Sequence, residues 1–242
     1  MKLPTRAPDG FNKDETKTQT AALLDELREL QNMLYAQSRY SVLVVLQGMD
    51  ASGKDGVIKK VFAGVNPMGC GVHSFKAPTE LEKSHDFLWR VHNVAPARGM
   101  IQIFNRSHYE DVLVTRVNKW IDDKTAKERF KHINHFEALL QSNGTILLKF
   151  FLNVSKEEQR ERLQERKDDP AKMWKHNESD WKVNEQYDDY IRYYEEAMEA
   201  CGPDVPWIVV PADQNWYKEY LVAKTLVDAL KNLPLAYPKR EA

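Results

Sequence analysis

The sequence predicts an α/β protein: three αβα layers, with a five-stranded parallel sheet covered by helices on both faces. Three observations carry this expectation. Val42-Leu43-Val44-Val45-Leu46 is a continuous apolar run, as a strand buried on both faces requires. Four further short strand candidates alternate with stretches of helical periodicity, and that alternation selects parallel pairing through helical crossovers. The first apolar run leads directly into a glycine-rich segment and then a helix start, the place where a parallel sheet holds its ligands.

Residues 1–16 are rich in Pro, Lys and Asp and are expected to form a loose arm. Leu23, Leu24, Leu27, Leu30 and Leu34 recur at helical spacing, so residues 18–38 are predicted as an amphipathic helix covering the main domain or a partner subunit. The predicted strands are 42–46, 72–75, 100–104, 145–152 and 207–210. The predicted helices are 55–63, 79–94, 109–120, 125–142, 156–166, 180–200 and 217–231. Asn143-Gly144 stops the fourth of these and Gly202-Pro203 the sixth. The domain division expected is an N-terminal arm and helix over 1–40, then one domain over 41–242.

Among 242 residues, Lys and Arg number 35 against 36 Asp and Glu, so no global charge points to nucleic acid or a membrane surface. Any polyanion site must be a local concentration of basic residues. The two cysteines, Cys70 and Cys201, form neither a CxxC pair nor a disulfide framework, which suggests a reducing compartment. There is no apolar leader and no run of the ~20 apolar residues that a membrane span needs. A cytoplasmic location is expected.

The chemistry-bearing segment is Gly48-Met49-Asp50-Ala51-Ser52-Gly53-Lys54-Asp55-Gly56. Its GxxxxGK spacing between a buried strand and a helix is that of a loop whose backbone N–H groups cradle phosphates. Gly48 and Gly53 permit the tight turn. Met49, Ala51 and Ser52 complete the cradle, and Lys54 would reach the phosphate oxygens. The ordinary pattern has Ser or Thr after the lysine, to bind Mg²⁺; here Asp55 stands there, and Asp50 lies inside the loop. A carboxylate facing phosphates repels them unless a cation intervenes. Asp50 is therefore either a Mg²⁺ ligand or a group orienting the phosphoryl acceptor. The alternative is that one of the two aspartates caps the helix, for which Asp55 is the better placed.

With Gly48, Asp50, Gly53, Lys54 and Gly56 in a GxDxxGKxG loop, the chain resembles the family-2 polyphosphate kinases. The resemblance continues through Leu88-Trp89-Arg90, His92, Pro96 and Gly99. It is strongest at Phe104-Asn105-Arg106-Ser107-His108-Tyr109-Glu110-Asp111-Val112. It returns at Arg162, Arg166, Pro170, Lys172, Trp174-Lys175 and Asp180, and so spans most of residues 40–215. The resemblance implies a P-loop kinase fold like that of thymidylate kinase, with a helical lid, placed here at about 160–182. It implies Mg²⁺-dependent transfer of phosphoryl groups between inorganic polyphosphate and the adenine nucleotides AMP, ADP and ATP. The Asn105–Asp111 segment and the short arm look most like class III, whose members phosphorylate both AMP and ADP. A homo-oligomer is expected.

The second motif has its own logic. A parallel strand ending at Phe104 would present Asn105 and Arg106 to a ligand, and an arginine fork suits bidentate phosphate contact. Asn105 stands where such strands commonly end in a metal-binding Asp, so the metal role is expected at Asp50, Glu110 or Asp111. The plainer account of Glu110 and Asp111 is charge complementarity at a helix start. Arg116, further along, is a further phosphate- or nucleotide-binding candidate. In the third motif Arg162 and Arg166 share a helix face, and with Lys175 they make a cationic segment able to close over developing charge. The catalytic set expected is Asp50, Lys54, Arg106 and Arg166.

Three rival readings remain: an ATP-dependent nucleoside monophosphate kinase, a non-enzymatic nucleotide or polyphosphate sensor, and a GTPase. Asp55 in place of Ser/Thr counts against the first. The assembled carboxylates and arginines count against the second. Against the third, an Asp falls one position late after Asn118-Lys119. His132 and His135 lack a third ligand and are not expected to bind metal. Tyr187, Tyr190, Tyr193 and Tyr194 are expected to pack rather than stack on a base.

Overall fold

A computed structural model describes residues 3–239. In chain order the elements are α1 (Lys13–Gln37), β1 (Ser41–Gln47), α2 (Lys54–Val61), β2 (Cys70–Ser74), α3 (Glu80–Lys83), α4 (Trp89–His92) and β3 (Ile101–Asn105). They continue with α5 (Val114–Val117), α6 (Asp123–Ser142), β4 (Thr145–Asn153), α7 (Lys156–Asp168), α8 (Glu178–Glu185), α9 (Tyr187–Ala200), β5 (Trp207–Pro211) and α10 (Asn215–Lys231). The five strands form one sheet in the order β2-β3-β1-β4-β5, every pair parallel. All seven residues of β1 are buried, which is why it sits at the centre.

Two apolar layers sandwich the sheet. On one face Val42, Val44 and Leu46 pack with Val57 of α2, Leu226 and Leu230 of α10, and Leu27 and Leu34 of α1. On the other, Leu43 and Val45 pack with Val91, Ile133, Phe136 and Tyr194. The alternation of β1 residues between the two clusters is the period-two geometry of a strand. The N-terminal helix thus covers the main domain of its own chain.

Several sequence-based boundaries move, each for a local reason. α1 begins five residues early because Asn12 caps it, accepting from Asp14 N and Glu15 N. The arm before it is pinned rather than loose: Asn153 Nδ2 donates to Leu3 O and Pro4 O, and Asp213 N donates to Thr5 O. The helix expected over 79–94 is two single turns. A capping box at Thr79 and Glu82 starts the first, and Asp86, accepting from Leu88 N, sets up the second. The helix expected over 109–120 is a 3₁₀ turn, His108–Val112, followed by the short α5. The helix expected over 180–200 divides at Gln186 into α8 and α9.

The segment after β3 is anchored by a buried polar network. Tyr109 OH donates to Glu137 Oε1 at 2.7 Å. Lys149 Nζ, in the middle of β4, donates to Glu137 Oε2 at 2.6 Å and to Cys201 O at 2.6 Å.

Candidate active site

β1 and β3 are neighbours, so the phosphate-type loop and the Asn105–Glu110 segment leave the sheet side by side at the carboxyl ends of their strands. Gly48 has φ +152°, and an added Cβ would lie 2.7 Å from the Leu152 carbonyl oxygen, so only glycine fits. Gly53 has φ +94°, and a Cβ there would collide with Lys218 Nζ. Ala51 also takes a left-handed φ of +62°.

Lys54 Nζ turns into the loop and donates to Gly48 O at 2.7 Å and Met49 O at 3.0 Å. Burial, and then the Arg106 guanidinium, lower its ammonium to about 8. Three successive carbonyls of the loop are gripped by side chains from helices. Gln159 Nε2 donates to Asp50 O at 3.0 Å, Arg162 Nη1 to Ala51 O at 3.0 Å, and Lys218 Nζ to Ser52 O at 3.0 Å. Ser52 Oγ is buried and has no protein hydrogen-bond partner.

Arg106 is held at φ +60°, a conformation costing about 1–3 kcal/mol for a non-glycine residue, with its N–H bonded to Leu46 O. Its guanidinium pairs with Asp50 and lies 3.7 Å from Glu110 Oε2. Burial alone would lower the Arg106 pKa, but Glu110 and Asp50 outweigh it and raise it. Burial raises the Glu110 carboxyl, although Arg106 and Lys54 pull it down. With its amide turned to suit its neighbours, Gln47 donates to Glu110 Oε1 at 3.0 Å.

Asp55 does not cap α2, whose N-cap is Gly53 with no side-chain bond. Its carboxylate instead accepts from Asn105 Nδ2 at 2.9 Å and from Lys175 Nζ at 3.1 Å. Burial pushes that carboxyl up, but these two bonds prevail and hold it below the usual range. Asp55 thus ties the loop to the end of β3 and to the cationic segment. In that segment Arg166 Nη1 bonds Asp180 Oδ2 at 2.9 Å, which joins α7 to α8.

Asp50, Lys54, Asp55, Arg106, Glu110 and Arg166 line two lobes of one cleft, which meet at Asp50, Arg106, Asn177 and Asp180. The first lobe is basic, with Lys54, Arg162, Arg166, Lys172 and Lys175 on its walls beside Gly53, Asp55, Gly56 and Asn105. The second holds Gly48, Met49 and Glu110, and is walled by Tyr190, Tyr194, Trp120 and Asn118. Tyr194 packs against Phe151, with centroids 4.3 Å apart, so it is a packing residue that also forms a wall.

Some candidates are not brought together. Arg116 does not line either lobe. It pairs with Asp123 and Glu196 at 2.7 Å each and lies 4.0 Å from the Tyr193 ring centroid, which removes it from the phosphate-binding set. Asp111 is turned toward Arg90, at 3.4 Å, and Arg129, at 3.8 Å, which removes it from the metal set. Arg162 reaches the basic lobe, but its guanidinium is spent on Glu158 and the carbonyls of Ala51, Ala212 and Asp213, so it braces more than it binds. His132 and His135 line a separate groove, and among the described residues no cluster of three or more His, Cys, Asp or Glu is arranged to hold a metal by itself. Sequence reasoning missed Lys218, Gln159 and Gln47, and gave Asp180, Asn118 and Trp120 no place in the cleft. No helix among the described residues is long and apolar enough to cross a membrane.

A parallel sheet with a glycine-turned loop at the end of its central strand, a buried lysine within that loop and a basic cleft above it defines a P-loop phosphotransferase. The family model for polyphosphate kinase 2 matches residues 10–236, so the chain belongs to the polyphosphate kinase 2 family. It is 49% identical to the AMP/ADP-polyphosphate phosphotransferase of Meiothermus ruber, over 91% of this chain and 83% of that one. It is 39% identical to the ADP-polyphosphate phosphotransferase of Rhodopseudomonas palustris, over 98% of this chain and 87% of the relative. The crystal structure of polyphosphate kinase 2 from Arthrobacter aurescens superposes with a TM-score of 0.93 at 38% identity, covering 100% of this chain and 95% of that one.

Proposed function

We propose that the chain transfers the terminal phosphoryl group between inorganic polyphosphate and adenine nucleotides, converting AMP to ADP and ADP to ATP. The observation that carries this is the two-lobed cleft. A polyanion suits the lobe lined by Lys54, Arg166, Lys172 and Lys175, and a nucleotide suits the lobe walled by Tyr190, Tyr194 and Trp120. In the proposed reaction an oxygen of the nucleotide's last phosphate attacks the terminal phosphorus of polyphosphate. A new P–O bond forms, the bond to the penultimate phosphate breaks, and the chain leaves one unit shorter.

Lys54 and Arg106 hold the terminal phosphate at the junction of the lobes, the loop N–H groups contact its oxygens, and Arg166 steadies charge as it shifts. Positioning and electrostatics carry such a step. The donor set suits Mg²⁺, which binds through one or two carboxylates plus phosphate oxygens rather than in an all-protein cage. Asp50 and Glu110, gathered on Arg106, would hold it, and bound there it would neutralise the charge of the transferring group. Residues 160–182 act as the lid on a domain spanning 41–242. A cytoplasmic homo-oligomer is part of the same proposal; light scattering tests the oligomer and cell fractionation the location.

The test supplies ADP or AMP with long-chain polyphosphate and Mg²⁺, without ATP. ATP or ADP is the expected product. Absence of product, while ATP plus a nucleoside monophosphate reacts, overturns the proposal.

A further inference from the structure

Three basic side chains touch the carbonyls of the loop, and the one from the C-terminal helix lies outside every motif of the sequence. Lys218 is only 1% exposed. Its Nζ bonds Ser52 O at 3.0 Å and Asn215 Oδ1 at 2.9 Å, and it packs so tightly under Gly53 that a Cβ there would strike it. It lines neither lobe of the cleft, although Gly53, Asn215 and Glu219 around it do. A side chain in this place cannot touch substrate; it can only act through the loop.

The geometry points to Lys218 as a positioning residue for phosphoryl transfer: it holds the Ser52 carbonyl away from the cleft, so that the N–H of the same peptide, on Gly53, stays turned toward the phosphate. The role rests on the proposed function only for the identity of that phosphate. With Gln159 on Asp50 O and Arg162 on Ala51 O, Lys218 completes a run of three consecutive carbonyls fixed from α7 and α10. Fixing the Ser52 carbonyl on one side directs the Gly53 N–H to the other, as fixing Asp50 O does for the Ala51 N–H, in the manner of a concave anion nest, while Ser52 N itself donates to Met49 O at 3.1 Å. The cation also adds positive potential beneath the nest in a region from which water is excluded.

The surroundings do not favour a lysine there for stability alone. Burial, and then Arg162, lower its ammonium to about 7, with Lys54 acting in the same direction and only Glu219 and Glu158 opposing. A buried lysine whose charged form is disfavoured by its surroundings is a common mark of a functional site.

Lys218→Met keeps the volume of the stem and removes the donor and the charge. The probe is inorganic tripolyphosphate, titrated calorimetrically without nucleotide, alongside steady-state kinetics and hydrogen exchange. The expected result is a roughly tenfold weaker tripolyphosphate affinity and a matching rise in KM for polyphosphate, with KM for ADP within twofold of wild type; a tenfold effect is about the net worth of the one hydrogen bond that holds the Ser52 peptide in place. Exchange in the 48–56 peptide accelerates while β1 and β4 stay protected. Tripolyphosphate affinity within twofold of wild type overturns the inference. So does a general loss of protection, which would make Lys218 a support of the whole fold. If the wild type binds tripolyphosphate but transfers nothing, the proposed function fails while the role of Lys218 is still decided by the binding comparison.

Discussion

Replacing Asp50 by Asn keeps the shape of the side chain and removes one negative charge from the junction of the two lobes. The structure separates the cost to folding from the cost to catalysis. Asp50 is 21% exposed and its partner Arg106 38%, so solvent screening limits what the pair gives the folded state to ~1 kcal/mol or less. Arg106 also retains Glu110 at 3.7 Å. For a chain of 242 residues that cost lowers Tm by about 4 °C at most. The catalytic cost is larger, because the carboxylate would help hold a Mg²⁺ ion whose contribution is several kcal/mol in the transition state. A loss of about 3 kcal/mol is a roughly 150-fold fall in kcat. Luciferase detection of ATP formed from ADP and polyphosphate, repeated across a Mg²⁺ titration, measures it, and calorimetry gives Tm. The reasoning is refuted if kcat stays within threefold of wild type, or if Tm drops by more than about 8 °C, because the loss would then belong to folding.

Lys149→Met leaves the Glu137 carboxylate buried without its cation and is expected to cost about 3–5 kcal/mol, read as a fall in the chemical denaturation free energy. A change below ~1 kcal/mol would mean that the Tyr109 hydroxyl suffices. Lys54 gives a pH signature: with its ammonium lowered to about 8, kcat/KM for polyphosphate falls as pH rises through that value, and a flat profile up to pH ~9.5 speaks against its charge being needed. The same lowering has a defined sign in stability. Between about 8 and 10.5 the unfolded chain keeps a proton that the folded chain has lost, so this group's penalty is relieved as pH rises. Arg116→Ala is expected to leave kcat and both KM values within twofold, since its partners Asp123 and Glu196 lie outside the cleft; a tenfold loss would return it to the site.

Legibility in the sequence followed physical range. The central strand and its loop were readable because a strand buried on both faces must be apolar throughout and its turn must contain glycine at Gly48 and Gly53. The breaks at Gln186 and around Asp86 were not readable, because helical periodicity continues across them and only local caps divide the helices. Arg106, Asp50 and Glu110 came together as expected, since a parallel sheet places the ends of β1 and β3 side by side. Arg116 and Asp111 did not, because the expected helix is a 3₁₀ turn followed by a short α5, and that turn redirects both side chains. Lys218 gave no signal at all. It lies on an ordinary-looking amphipathic helix, and its meaning arises only when α10 folds beneath a loop more than 160 residues earlier in the chain.

In the proposed reaction polyphosphate is the phosphoryl donor. The most direct measurement of this supplies ³²P-labelled polyphosphate, unlabelled ADP and Mg²⁺, with no ATP, and follows the label. Label is expected in the terminal phosphate of newly formed ATP, with polyphosphate shortening in step. Unlabelled nucleotide after complete incubation, with label passing instead from γ-³²P ATP to a nucleoside monophosphate, contradicts it.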